Sequence, residues 1–208
     1  MDINTLKKVF EEHTPKPIGT HRYYSVLVPF VERDDKLHIL YEVRAKNMNS
    51  QPGEICFPGG MIEANEGPKE AAIRESCEEL GINSEKIEII GSGDILYGYA
   101  NYTIFTYIGV IREEDYLTLN PSPNEVEEVF LVDAEKLCKN PPERHEEKVV
   151  ALIDEHFPYF KLGVDESYPW KTGKWIIPIY EVDNRVIWGL TARITDNVLG
   201  YLNCEYRE

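Results

Sequence analysis

An α+β domain, with a mixed sheet between helices, is the architecture this sequence predicts, and three observations predict it. Strand-like and helix-like segments are interspersed without the strict βα alternation of a parallel sheet. One helix, over residues 68–80, is marked at both ends, by Pro68 in its first turn and Gly81 at its stop. No internal repeat, low-complexity tract or long linker divides the 208 residues, a length that suits one domain.

Taken in order, residues 3–12 read as a short helix with Leu6, Val9 and Phe10 on one side. Residues 24–31 and 36–43 read as strands joined by a polar hairpin turn at Glu32–Asp35. From Lys46 the chain is polar and glycine-marked, ending in Phe57-Pro58-Gly59-Gly60. In the helix over 68–80, Ile73, Ser76, Cys77 and Leu80 fall at i, i+3, i+4 and i+7 and form the stripe expected to pack inward. Strands are predicted at 87–90, 104–111 and 126–132, and a second helix at 134–138. Residues 146–157 look helical. Segments 175–182 and 186–188 form a hairpin about Asp183-Asn184, and a last helix runs from Leu190 to about Leu202. Trp188, large and flanked by apolar residues, is expected to bury against the sheet.

Hydrophobic residues at 42% and charged residues at 28% suffice for a packed core and exclude wholesale disorder. Thirty-seven Asp and Glu against 22 Lys and Arg leave a net charge of -15. Such a surface repels phosphate backbones, which argues against nucleic-acid and anionic-membrane partners. A small anionic substrate stays compatible, because a bound cation reverses the local field. No apolar run approaches the roughly 20 residues of a membrane helix, the first residues read as lacking a signal-peptide core, and the last read as matching no lipidation or peroxisomal signal. Cys56, Cys77, Cys138 and Cys204 form no CxxC pair, so they read as reduced thiols of a cytoplasmic protein.

The stretch from Gly60 to Ile82 carries the chemistry. On its helix Glu75 and Glu79 lie about 40° apart, with Glu78 about 60° to the other side. Three carboxylates on one arc repel one another unless a cation sits among them. Hard divalent ions such as Mg²⁺ prefer this all-oxygen environment. The alternative is a solvated acidic face. Gly59-Gly60 permits close backbone approach and offers carbonyl oxygens. Glu66 and Arg74 can pair across the loop, as a fixing contact or as an ordinary surface bridge.

This segment resembles the Nudix box, G-x5-E-x7-R-E-U-x-E-E-x-G-U with U apolar, through Gly60, Glu66, Arg74, Glu75, Glu78, Glu79, Gly81 and Ile82. Ser76 departs from the pattern at the first apolar position, where its hydroxyl can bond back to a helix carbonyl. The resemblance implies the Nudix fold and hydrolysis of a nucleoside diphosphate derivative dependent on Mg²⁺ or Mn²⁺. It implies Gly60, Glu75, Glu78 and Glu79 as the metal set, Glu66 and Arg74 as shapers of the loop, and Glu75 and Glu79 as catalytic carboxylates.

Further segments resemble the coenzyme A pyrophosphatase branch: Arg44-Ala45; Gly53, Ile55 and Phe57–Gly60; Asn120-Pro121, Glu125-Val126 and Glu128–Phe130; and Ile187–Thr191. Relatives often carry one or two arginines where Met48–Gln51 stand here, a departure that bears on the grip on a 3′-phosphate. The branch implies cleavage of coenzyme A or acyl-coenzyme A to 3′,5′-ADP and (acyl-)4′-phosphopantetheine. It also adds Glu125 as a remote acid, a base or second-metal ligand, against the alternative of a merely solvated residue. Arg44 suits a phosphate fork, with Lys46 as a supporting point charge. Phe57 is either a core anchor or a base stacker.

One Nudix domain is thus expected over 1–208, with a core at about 22–138 and 174–203 and an insertion at 139–173. The aromatics Phe157, Tyr159, Phe160, Tyr168, Trp170 and Trp175 read as packing, a homodimer contact, or cover for a base or pantetheine arm. Rival functions are a Nudix hydrolase for ADP-ribose, NADH or an oxidised nucleotide, a non-catalytic Nudix-fold ligand-binding domain, and an acidic structural protein.

Overall fold

The structure, a computed structural model, describes residues 2–202. Strands β1 (Arg22–Arg33) and β2 (Lys36–Arg44) form a hairpin whose turn residues Asp34 and Asp35 have φ of 53° and 57°. Those angles are the left-handed pair that matches strand twist in a two-residue turn. The short strands β3 (Ile55–Cys56) and β4 (Gly59–Met61) add antiparallel to β2 and β1. Next come β5 (Ile87–Ser92), β6 (Leu96–Gly98) and β7 (Tyr102–Ile111). Strand β7 runs parallel to β1 and antiparallel to β5 and β6. With β8 (Val126–Asp133) antiparallel to β2, this completes a mixed eight-stranded sheet.

Alternation along the strands sorts side chains between two cores. Leu27 and Val31 of β1 and Leu40 of β2 pack with Leu80 and Ile82 at the end of helix α2 (Pro68–Leu80). Val28, Phe30, Ile39 and Tyr41 take the opposite face, where Ala192, Ile194, Val198 and Leu199 of a C-terminal helix cover them. The sheet therefore lies between helices, as the patterning predicted.

A three-stranded sheet joins β9 (Glu143–Val149), β10 (Gly173–Val182) and β11 (Arg185–Trp188). The turn between the last two uses Asp183 and Asn184 at φ of 52° and 59°. The helices are α1 (Ile3–Phe10), α2, α3 (Glu113–Tyr116), α4 (Ala134–Lys139) and α5 (Gly189–Tyr201). Helix α1 forms where expected, yet Leu6, Val9 and Phe10 stay exposed.

Several expectations need correction. Residues 146–157 are not helical. Residues 146–149 extend β9, where Glu146 and Glu147 lie opposite Ile176 and Trp175 of β10. Cross-strand hydrogen bonding there overrides the local helix preference of Glu and Lys. On α2 the buried residues are Ala71, Ala72, Ser76, Glu79 and Leu80, while Ile73 and Cys77 are half-buried. The helix is wedged between sheet and loop, which buries a second face as well as the apolar stripe. Cys56 and Cys77 are free, but Cys138 is disulfide-bonded, so the reading of four reduced thiols fails there. Sequence spacing excludes a local knuckle and says nothing of thiols that folding brings together. Cys204 lies outside the described residues. Trp188 is 48% exposed beside the fully buried Ile187, because strand alternation turns it outward as α5 begins. No helix among the described residues is long and apolar enough to cross a membrane.

Candidate active site

Helix α2 ends at Gly81, whose φ of 62° is left-handed. A Cβ there would also overlap the Asn120 carbonyl, so glycine is required twice. Asn120 N–H donates to the Leu80 carbonyl (3.2 Å) and Ser122 N–H to the Glu79 carbonyl (2.9 Å). The Asn120–Ser122 loop thus satisfies carbonyls the helix end leaves open. Glu125 follows, its N–H bonded to the Ser122 carbonyl (3.0 Å) and its carbonyl to Ala45 N–H (2.8 Å). Ser76 Oγ donates to the Ala72 carbonyl at 2.7 Å, the back-bond anticipated from its position.

Arg74 organises the loop before the helix. Its Nε and Nη2 donate to the two oxygens of Glu66 (3.1 and 2.8 Å), a bidentate pair. Nη2 also donates to the Met61 carbonyl (3.2 Å), and Nη1 pairs with Glu75 (3.0 Å) and Glu78 (3.3 Å). Glu66 in turn accepts from Glu63 N–H (2.7 Å). These bonds tie both ends of the loop to one guanidinium.

Four carboxylates then converge. Glu79 is buried and accepts from Gly59 N–H at 2.8 Å, yet burial holds its pKa well above the usual carboxylate range, and Glu42, Glu75 and Glu125 add to this. Glu75 is raised first by burial and further by Glu78 and Glu125. Its carboxylate lies so close to Gly60 that a Cβ there would overlap it. Glu42, which the sequence reading missed, is fully buried on β2. It accepts from Cys56 Sγ at 3.2 Å, and its Oε2 has no partner. Burial raises its pKa above the carboxylate range, and burial first, then Glu42, raises Cys56 above the thiol range. Period-two patterning could have placed Glu42 beside Leu40, facing α2; nothing in a one-dimensional motif marks it.

Beside these groups lies a cleft of about 740 Å³. Gly60, Glu75, Glu79, Glu125, Arg44 and Phe57 all line it, so the fold brings together most of the residues singled out from the sequence. Glu78 and Lys46 are not among the lining residues. Glu78 is half exposed against Arg74, and Lys46 is engaged by Glu127 (3.0 Å). Arg44 Nε donates to the Ser50 carbonyl (3.2 Å), and Met48, Ser50 and Gln51 complete that rim. Phe57 is 4% exposed and stacks on Tyr41 at 5.0 Å, which makes it a core anchor. The aromatics Phe157, Tyr168 and Trp170 pack around a separate small cavity, away from this cleft.

The donor set suits a hard divalent cation: four crowded carboxylates, three with elevated proton affinity, and a buried Oε2 without a partner. Among the described residues no three His, Cys, Asp or Glu side chains stand as a preformed metal cluster, so these carboxylates are neighbours rather than a finished ligand set.

Comparison with known proteins agrees with this geometry. The NUDIX domain model matches residues 21–153, and the chain belongs to the Nudix family. The fold described above is accordingly the Nudix fold. The chain is 35% identical over 117 residues to Nudix hydrolase 3 of Caenorhabditis elegans, covering 55% of this chain and 49% of that protein. It is 34% identical over 110 residues to the peroxisomal coenzyme A diphosphatase NUDT7 of Mus musculus, covering 52% and 46%. To the mouse mitochondrial coenzyme A diphosphatase NUDT8 it is 27% identical over 180 residues, covering 86% and 77%. The chain spans about half the length of the first two of these relatives.

Proposed function

We propose that the protein is a divalent-metal-dependent diphosphohydrolase that cleaves coenzyme A or acyl-coenzyme A to 3′,5′-ADP and (acyl-)4′-phosphopantetheine. The observation that carries this reading is the crowding of Glu42, Glu75, Glu79 and Glu125 at the wall of a cleft large enough for a nucleotide. The two mouse relatives named as coenzyme A diphosphatases support the substrate class.

Gly60, Glu75, Glu78 and Glu79 would hold Mg²⁺ or Mn²⁺. When bound, the ion neutralises diphosphate charge and lowers the pKa of water. Glu75 or Glu125 accepts the proton of the water that attacks phosphorus in line. Arg44 lines the cleft, where its remaining guanidinium donors would meet a phosphate oxygen, and Arg74 with Glu66 fixes the loop that carries Gly60. Burial of Glu79 and Glu42 excludes water from behind the reacting groups.

The test is a panel of coenzyme A, acetyl-coenzyme A, ADP-ribose, NADH and nucleoside triphosphates with Mg²⁺, with products resolved by chromatography and mass. Fastest release of 3′,5′-ADP supports the reading. Preferential cleavage of ADP-ribose or NADH overturns the substrate, and binding without cleavage overturns the hydrolase.

A further inference from the structure

In a chain with 37 acidic and 22 basic residues, an arginine without a carboxylate partner is unusual. Arg33, Arg74, Arg112, Arg144 and Arg185 each bridge a carboxylate. Among the described residues Arg22, Arg44 and Arg193 do not. Arg44 lies at the rim already described, whereas Arg22 lines a different part of the cleft with Tyr102, and Arg193 is close enough to Tyr102 to act on it without lining the cleft.

Strand pairing puts Arg22 directly opposite Tyr102, and both line the cleft. Tyr102 is oriented by Gly98, since a Cβ there would overlap its ring. Arg193 comes from α5, one residue before the cleft-lining Ile194. Its guanidinium stacks on the Trp175 ring at 3.6 Å, and Tyr99 packs edge-on to that ring at 5.3 Å. Its Nη1 is buried with no hydrogen-bond partner. Burial raises the pKa of the Tyr102 hydroxyl, and both arginines act on it in the opposite direction. The nearby carboxylate Glu147 is engaged by Tyr99 (3.3 Å). The guanidinium is therefore held by an aromatic platform with a donor left over, which suits a phosphate oxyanion.

Position adds to this. Along β1, Arg22 precedes Ser25, the partner of Gly60, by three residues, or about 10 Å at roughly 3.3 Å per residue. Tyr24, Val26 and Ile104 form a largely apolar floor between.

We infer that the cleft holds a second anion subsite, formed by Arg193, Arg22 and the Tyr102 hydroxyl, which takes a phosphate monoester on the same ligand whose diphosphate lies at the carboxylates. This deepens the proposed function by assigning a place to the 3′-phosphate of the nucleotide. It rests on that reading for the identity of the ligand.

Calorimetric titration of the metal-free protein with 3′,5′-ADP and with 5′-AMP tests it. The wild type binds 3′,5′-ADP at least tenfold more tightly, as loss of a charged hydrogen bond implies. Arg22→Gln, at an exposed position where folding is not at stake, and Arg193→Met each bring the ratio towards one. Arg193→Lys restores part of it. Equal binding of the two nucleotides by the wild type, no binding of 3′,5′-ADP at millimolar concentration, or equal weakening of both nucleotides in the variants overturns the subsite. If the ratio behaves as expected but coenzyme A is not cleaved with Mg²⁺, the subsite stands and the hydrolase reading fails. If coenzyme A is cleaved and the ratio is one, the reverse holds.

Discussion

At the carboxylate end of the cleft, burial first and then Glu42, Glu75 and Glu125 push the proton affinity of Glu79 upward, while Arg74 anchors the loop from behind. Towards β6 and the start of β1, Arg22 and Arg193 bridge no carboxylate, and an aromatic ring holds Arg193 in place. One region concentrates negative charge that a cation would relieve, and the other holds positive charge that an anion would relieve. A ligand with both a metal-bound diphosphate and a separate phosphate would satisfy both. Neither region is arranged for its own stability: a buried polar atom without a hydrogen-bond partner is costly, and one stands on each side, Glu42 Oε2 and Arg193 Nη1.

The largest expected effect falls at the carboxylates. Glu79→Gln keeps shape and removes charge, and turnover in steady-state assays falls about 100-fold or more. Wild-type rates at saturating metal would remove Glu79 from the metal set. The same variant sharpens the contrast in another way. Without divalent ions it melts above the wild type, because a buried carboxylate crowded by three others is gone. A lower melting temperature would mean that the bond to Gly59 outweighs the repulsion.

Arg74→Gln removes the bidentate pair with Glu66 but leaves every carboxylate in the cleft. Mg²⁺ affinity, followed by competition with Mn²⁺ in electron paramagnetic resonance, weakens about 10- to 100-fold. Unchanged affinity would make the Arg74 network a surface feature. Gly60→Ala places a methyl group against Glu75, and a several-fold loss of turnover with little change in thermal unfolding is expected.

The smallest effect lies away from the cleft and serves as a control. Hydrogen bonding from Lys86, at 2.8 Å, holds Asp115 below the usual carboxylate range, and Arg112 contributes. A carboxyl lowered in the folded state stabilises above its unfolded pKa, and that contribution is lost as pH falls through the folded value. Asp115→Asn should therefore narrow the gap in melting temperature between neutral and strongly acidic solution, with turnover at pH 7 unaltered. An unchanged gap would show that the pair contributes nothing to acid stability.

How much of this could be read in advance differs between the two regions for a physical reason. The segment from Gly60 to Ile82 is contiguous, and helix geometry alone puts Glu75, Glu78 and Glu79 on one arc. Its spacing is therefore visible in one dimension, as are the two hairpins marked by left-handed Asp and Asn. Burial is not visible in that way: Glu79 shares its arc with Glu75 and Glu78, yet it alone of the three is buried, under the Gly59 N–H. Glu42 reaches the site only through strand pairing that sets it opposite Cys56. The arginine region draws on β1, β7, β10 and α5, and no local pattern links residues 22, 102, 175 and 193. Strand β9 was hidden for a related reason, since Glu146 and Glu147 carry helix propensity and only the partner strand overrides it.

The most direct test is the initial rate of 3′,5′-ADP formation from coenzyme A with Mg²⁺, for wild type and Glu79→Gln side by side. The account predicts 3′,5′-ADP and 4′-phosphopantetheine from the wild type and a rate lower by about 100-fold or more from the variant. Intact coenzyme A in the wild-type reaction, or equal rates from the two proteins, would contradict it.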